Sequence, residues 1–373
     1  MAPGSTLVLA ALLLLAALSG AGLLHAWRRL RRAQHRVEEA VGALVKTSQG
    51  LVEQVDAWKR ETPERMALLL YDLERNLDLR VCLRQAFVVH GFPKTGNSTL
   101  AATIGALDIC DFLCGGHHFS DPGVAELQRT VGHLLDPALR SRQLAYYYES
   151  ARFNRIFRAQ RCLHAEMRAQ GDEPLRPFVV TSMRDPVAIF LSGVFFVHAC
   201  LERRPAVPTA EVLAEAAFGK APRSAEASFW RALWFQTVCG RFDDGTPWYE
   251  EIDRWFEREL AGVFGIDAFA SPFPHERGWN AVESAEARGL LVRQEDFDRL
   301  AAILAGWFGL PEALVQVIDD NSARARPDGD VYQRIQAEFR VPADQLEAIY
   351  ATRAVRHFYS LAEIERMKAR WAA

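Results

Sequence analysis

Residues 87–100 read FVVHGFPKTGNSTL, an apolar run that breaks into a glycine-containing loop and opens at once into helix-forming residues. A strand that ends in such a turn and restarts as a helix favours parallel strands joined by right-handed crossovers, and so an α/β sheet. The loop also meets a helix N-terminus, where amides without intrahelical acceptors and the helix dipole favour an anion. Aligned on the Walker pattern G-x-x-x-x-G-K-[ST], it gives Gly91, Gly96, Asn97 and Ser98, with Asn97 at the lysine position. The lysine stands inside the loop instead, as Lys94, which argues against an ordinary magnesium–ATP site. A plain Gly-Pro turn between strand and helix is the alternative for these residues. Asn97-Ser98-Thr99 has the form of a glycan sequon, but a phosphate loop is the wrong place for one.

A second motif follows in FVVTSMRDPVAIFLSGVFF, residues 178–196. Its first residues read as another buried strand, and Arg184-Asp185-Pro186 turns into a helix with proline in the first turn, where a missing N–H costs nothing. Ser192 lies eight residues beyond Arg184, about two helical turns. A guanidinium and a hydroxyl so spaced suit phosphate oxygens. Taken alone, Arg184 reads more readily as an ordinary helix-start arginine paired with Asp185 or solvent.

These two motifs together resemble sulfotransferases. Pro93, Lys94, Thr95, Gly96, Asn97 and Ser98, with Thr99 behind, stand as that family's 5′-phosphosulfate loop, P-K-[TS]-G-[ST]-[ST]. R-D-P followed by serine is its second signature, in which Arg184 and Ser192 would hold the 3′-phosphate of 3′-phosphoadenosine-5′-phosphosulfate. The C-terminal third, with GLLVRQEDFDRL at 289–300 and FYSLAEIERMKARW at 358–371, resembles the bacterial capsular-polysaccharide-synthesis sulfotransferase-like family. The resemblance runs over roughly residues 84–371 and is weakest at 125–175 and 200–240. It implies sulfuryl transfer to a hydroxyl of a glycan or lipid-linked sugar. The expected fold is then P-loop-NTPase-like, a central parallel sheet flanked by helices, with no metal required.

In that chemistry lysine and backbone amides stabilise the leaving oxygen, a role that falls to Lys94. The acceptor hydroxyl needs a base, and GGHHFSDPG at 115–123 offers His118 or His117, since imidazole titrates near neutral pH. The same pair reads otherwise as an exposed turn. Glu295 is the reserve, with a capping carboxylate as its alternative role. Arg324 and Arg326 could reach the 3′-phosphate or an acidic acceptor, or stand in a solvated loop. Two other classes share these features: a magnesium-dependent P-loop kinase or NTPase, and a non-enzymatic membrane-tethered scaffold for polysaccharide assembly.

The N-terminus adds the membrane. Leu7 to Ala26 is uncharged, rich in Leu and Ala, and long enough to span a bilayer. Arg28, Arg29, Arg31 and Arg32 follow it, so the positive-inside rule puts the rest of the chain on the cytoplasmic side of a single-pass anchor. Leu30, Val37, Val41, Leu44, Leu51, Val55 and Trp58 then form a heptad stripe, interrupted at Gln34 and Ser48. The stripe is either a short coiled-coil seam, which would make a homodimer, or an amphipathic helix packed on its own domain or the bilayer. The expected organisation is an anchor over 1–27, a juxtamembrane helix over 28–62 and a catalytic domain over 63–373.

With a net charge of −3, the chain has no bulk attraction to nucleic acid. Six cysteines are too sparse for a disulfide framework, and their usage suits a reducing compartment. Cys110-x₃-Cys114-x₂-His117-His118 can be drawn as a zinc site, but no second ligand cluster follows it. Beyond the first motif, pattern places helices over 97–107, from about 122, near 138–170, 186–200, 208–217, 224–242, 247–261, 296–308, 342–353 and 360–371. It places strands over 86–90, 177–182 and 289–293.

Overall fold

Two strands with scarcely a polar residue fix the centre of the molecule. β1 (Ala86–His90) is buried along its whole length and β3 (Phe178–Met183) along nearly all of it, as parallel strands covered on both faces must be. The computed structural model describes residues 86–319 and 329–373, apart from 108, 110, 111, 220 and 221. These fall within one compact unit, Arg75–Ala373. Leu7–Ala26, the 30–58 stripe, Arg324 and Arg326 lie outside the described residues, and among those described no helix is long and apolar enough to cross a membrane.

Five strands form the sheet. With β2 (Phe112–Gly116), β4 (Trp279–Glu283) and β5 (Arg288–Arg293), the order across it is β2-β1-β3-β5-β4. β2, β1, β3 and β5 run parallel, whereas β4 pairs antiparallel with β5 at the edge. The expected central parallel sheet is therefore correct for four strands. β4 was not expected, because its ragged exposure carries no apolar run. β2 was also unread: FLCGG ends in two glycines that resemble a turn, yet Gly115 and Gly116 pair with Val89 and His90. Gly116 is required there, since a Cβ would lie 2.6 Å from the Phe119 ring.

Alternate residues of β1 serve opposite layers. Phe87 and Val89 face a core with Leu100 and Ile104 of α1 (Asn97–Ala106) and with Leu300, Ile303 and Leu304 of α8 (Leu300–Phe308). Val88 faces the larger core, built on α3 (Pro137–Ala169), α4 (Pro186–Cys200) and α6 (Ala225–Trp234). Burying each such Leu, Ile or Phe contributes about 1.5–3 kcal/mol. α2 (Asp121–His133), α5 (Ala210–Phe218) and α7 (Glu250–Trp255) complete that layer. π-helical turns extend α6 over Phe235–Cys239 and α7 over Phe256–Ala261.

Two expected helices are divided in the structure. A 3₁₀ turn, Gln294–Arg299, precedes α8, and the 342–353 segment is α10 (Ala343–Tyr350) followed by a separate α11 (Arg353–Phe358). α9 (Gly329–Glu338) was not anticipated. α12 (Leu361–Trp371) begins with the expected capping box, Ser360 accepting from the Glu363 amide while the Glu363 carboxylate receives the Ser360 amide.

Connectivity puts a crevice in a useful place. From β1 the chain goes to β2 on one side, and from β2 it returns across β1 to β3 on the other. The carboxyl ends of β1 and β3 are thus the point where strand order reverses, the position at which open α/β sheets bind ligands.

Candidate functional site at the carboxyl ends of β1 and β3

Both sequence motifs emerge at that point, because His90 ends β1 and Met183 ends β3. The loop after β1 is held by its own side chains. Gly91 sits where a Cβ would come within 2.4 Å of the Asn97 side chain, so only glycine lets the loop close. Gly96 caps α1 at φ 102°, and a Cβ there would lie 2.6 Å from the Phe297 ring. Lys94 also has a positive φ of 71°, an uncommon backbone state for a residue with a side chain.

Asn97, at the Walker lysine position, turns inward. Its Nδ2 donates to the carbonyls of Gly91 and Phe92, both at 3.1 Å, and its Oδ1 accepts from Ser182 Oγ at 3.3 Å. Thr95 is fully buried; its hydroxyl donates to the Phe92 carbonyl at 2.7 Å and accepts from Ser182 at 3.0 Å. Of the residues expected to cradle an anion, Asn97 and Thr95 therefore brace the loop with their side chains and present only backbone outward. Ser98 is exposed, Thr99 and Pro93 are buried, and the first helical bond runs from Leu100 N–H to Gly96 C=O. The amides of Asn97 and Ser98 precede that bond and have no intrahelical acceptor.

Arg184 joins the two motifs directly: its Nη1 donates to the Lys94 carbonyl at 3.2 Å. Ser192 stands half-buried two turns along α4, one turn before Phe196 on the same side of the helix. Lys94 Nζ lies 4.3 Å from the centroid of the Phe196 ring. Lys94 and Arg184 thus bring two cationic side chains to the mouth of α1.

The two histidines part company. His117 belongs to the loop: its Nδ1 is 2.7 Å from the Gly91 carbonyl, its amide donates to Tyr146 Oη at 2.7 Å, and its carbonyl accepts from Trp255 Nε1 at 2.6 Å. Donation from Nδ1–H to Gly91 leaves the lone pair on Nε2. Desolvation pushes this half-buried imidazole down to about 3, against the pull of the Gly91 carbonyl, with His118, His90 and Lys94 adding to the depression. His118 is buried beside Gly240, with Nδ1 3.7 Å from Glu259. Glu259 accepts the amides of Phe119 and Ser120 at 2.8 Å each and the Ser120 hydroxyl, so it holds the chain after β2 in place. Burial acts to raise its carboxyl, but the interactions with His118, His90 and Arg258 hold it down at about 2.

Glu295 caps the second motif. Its Oε1 accepts the Asp185 amide and its Oε2 the Tyr359 hydroxyl, both at 2.8 Å. Asp185 is buried, and its carboxyl is raised by desolvation while bonds from Trp371, Tyr350 and Val187 oppose the shift. Among the described residues no group of three or more His, Cys, Asp or Glu is arranged to hold a metal ion. Cys114 is buried in β2, and Cys110 lies outside the described residues.

Sequence reasoning passed over Ser182, Tyr146, Phe196 and Phe297. Ser182 carried a signal, a hydroxyl next to that of Thr181 at the carboxyl end of a strand that begins with three apolar residues. The other three are aromatic residues on helical segments, indistinguishable by pattern from core. No family model, no curated protein and no solved structure matches this chain.

Proposed function

We propose that this protein is a sulfotransferase, moving a sulfuryl group from 3′-phosphoadenosine-5′-phosphosulfate to a hydroxyl of a glycan or lipid-linked sugar. In this proposal the described α/β unit is a P-loop-NTPase-like sulfotransferase domain, tethered through Leu7–Ala26 on the cytoplasmic side of a membrane. The observation that carries it is the 3.2 Å bond from Arg184 to the Lys94 carbonyl, which sets the two phosphate-type motifs side by side at the switch point of the sheet.

The residues present suit a phosphosulfate donor. Lys94 and Arg184 supply charge, and the amides at the mouth of α1 supply neutral donors aimed at an anion. When bound, the donor supplies an activated sulfuryl group and a phosphate leaving group. Lys94 stabilises the bridging oxygen as charge develops on it. Arg184 and Ser192 hold the 3′-phosphate, so the ribose end is fixed away from the reacting end. His117 Nε2 takes the proton of the acceptor hydroxyl as the oxygen–sulfur bond forms and the bond to the bridging oxygen breaks. The His117 ring is kept neutral by its enclosure, and an anion beside it raises its basicity at the moment a proton must be accepted. Asn97 turned inward to the Gly91 and Phe92 carbonyls leaves the Walker lysine role unfilled at that position, which disfavours the kinase alternative.

Calorimetric titration of the full-length chain with 3′-phosphoadenosine-5′-phosphate, without magnesium, tests the proposal. Affinity on the order of micromolar is expected, unmatched by ATP. Lys94→Ala should lose about 1.5–3 kcal/mol, roughly ten- to a hundredfold. Binding of ATP only with magnesium would make the protein an NTPase, and no nucleotide binding by a folded chain would return it to the scaffold class.

A further inference from the structure

One cation beside this site has no acidic partner among the described residues. Arg142 is exposed on α3, with its guanidinium carbon 5.0 Å from the centroid of the Phe196 ring, the ring that Lys94 Nζ approaches at 4.3 Å. The two cationic groups therefore lie within the sum of those distances. No carboxylate of the described residues is within ion-pair reach of Arg142. The next acid on its flank of α3, Glu149, is seven residues on, about 10 Å along the axis. On the same helix Arg140 donates to the Leu134 carbonyl and Arg158 pairs with Asp121.

Its position on α3 is also specific. Tyr146 is one turn further along on the same side, and its hydroxyl accepts the His117 amide. Arg142 thus shares the Phe196 ring with Lys94, on the helix whose Tyr146 holds the His117 amide. A guanidinium held beside an aromatic ring keeps several N–H donors, in a fork that matches a carboxylate or sulfate. In the proposed function Arg184 and Lys94 answer the charge of the donor, which leaves Arg142, on the helix that carries Tyr146, for the acceptor.

We propose that the acceptor carries an anionic group close to its reacting hydroxyl, and that Arg142 binds that group. The inference rests on the sulfotransferase function proposed above. Carboxylate and sulfate present the same chemistry to a guanidinium, so the acceptor class is an anionic glycan rather than a neutral one.

The test uses the full-length chain saturated with 3′-phosphoadenosine-5′-phosphate, and measures tetrasaccharide binding by calorimetry. The probes are an alternating glucuronate–N-acetylglucosamine tetrasaccharide, its carboxyl-reduced neutral form, and the neutral form carrying one sulfate ester. At least one anionic probe should bind about tenfold or more tightly than the neutral one, and which does so identifies the anion. Arg142→Gln should abolish that preference, Arg142→Lys should keep part of it, and neither should move the affinity for the nucleotide. Equal binding of all three probes, binding of none, or a preference that survives Arg142→Gln overturns the inference. Failure of the nucleotide loading step is seen first and separately; it overturns the donor assignment and this inference with it.

Discussion

Trp371 donates its indole N–H to Asp185 Oδ2 at 2.7 Å, tying the end of α12 to the turn that carries Arg184. The contact joins residues 186 apart in sequence. Tyr350 Oη holds the other oxygen at 2.9 Å, and both aromatic side chains are buried. The C-terminal helices therefore support the candidate site, because they set the position of the residue beside Arg184.

Trp371→Phe keeps the ring packing but removes this donor from a buried carboxylate. It should cost about 1–3 kcal/mol in denaturant unfolding. Affinity for 3′-phosphoadenosine-5′-phosphate should fall with it, since the Arg184 turn loses a fixed point. Unchanged stability and unchanged affinity would detach α12 from the site.

Lys94 separates backbone from charge. At its φ of 71° glycine is at ease and alanine is not. Lys94→Gly should therefore be more stable than Lys94→Ala by about 1 kcal/mol in thermal unfolding. Both should lose nucleotide affinity to a similar extent, because both lack the ammonium group.

Asn97→Lys restores the Walker pattern on paper. The substitution breaks the bonds to the Gly91 and Phe92 carbonyls and to Ser182, so a loss of about 1–3 kcal/mol is expected rather than a gain of ATP hydrolysis. Phosphate release from ATP with magnesium, measured beside a melting curve, checks both parts.

Acid should unfold the protein early. His90 is fully buried against Phe119, its Nδ1 bonds the Gly116 carbonyl at 3.1 Å, and desolvation pushes it down from 6.5 to about 4. A histidine depressed in the folded state is protonated more readily in the unfolded chain. Its stabilising contribution is whole above about pH 6.5 and drains away as pH falls toward 4. By pH 5 the loss from His90 should be about 2 kcal/mol. His117, pushed down to about 3, acts in the same direction. Chemical denaturation at pH 7 and pH 5 measures the slope, and His90→Phe should flatten it.

Much of this site is legible in the chain because it depends on local patterns. Apolar strands followed by Gly91 and Arg184, with helices opening soon after, are enough to locate the candidate site at the carboxyl ends of β1 and β3. Pro186 and the Ser360–Glu363 box mark helix starts for the same reason: each acts within one turn. β2 and β4 escaped because FLCGG and WNAVE take their strand character from neighbours, not from their own residues.

Tertiary structure decided what each side chain at the site is for. By type alone Asn97 and Thr95 were phosphate ligands; bonds to the Gly91 and Phe92 carbonyls and from Ser182 of β3 make them braces. His117 and His118 are adjacent and chemically alike, yet the strand pairing that sets Gly116 beside His90 sends one ring to Gly91 and the other to Glu259. Arg142, Phe196, Tyr350 and Trp371 join the site from remote helices, and no spacing in the sequence encodes which faces those helices turn inward. Strand and helix starts are settled over a few residues by backbone sterics and capping, whereas side-chain roles are settled by packing between segments far apart in the chain.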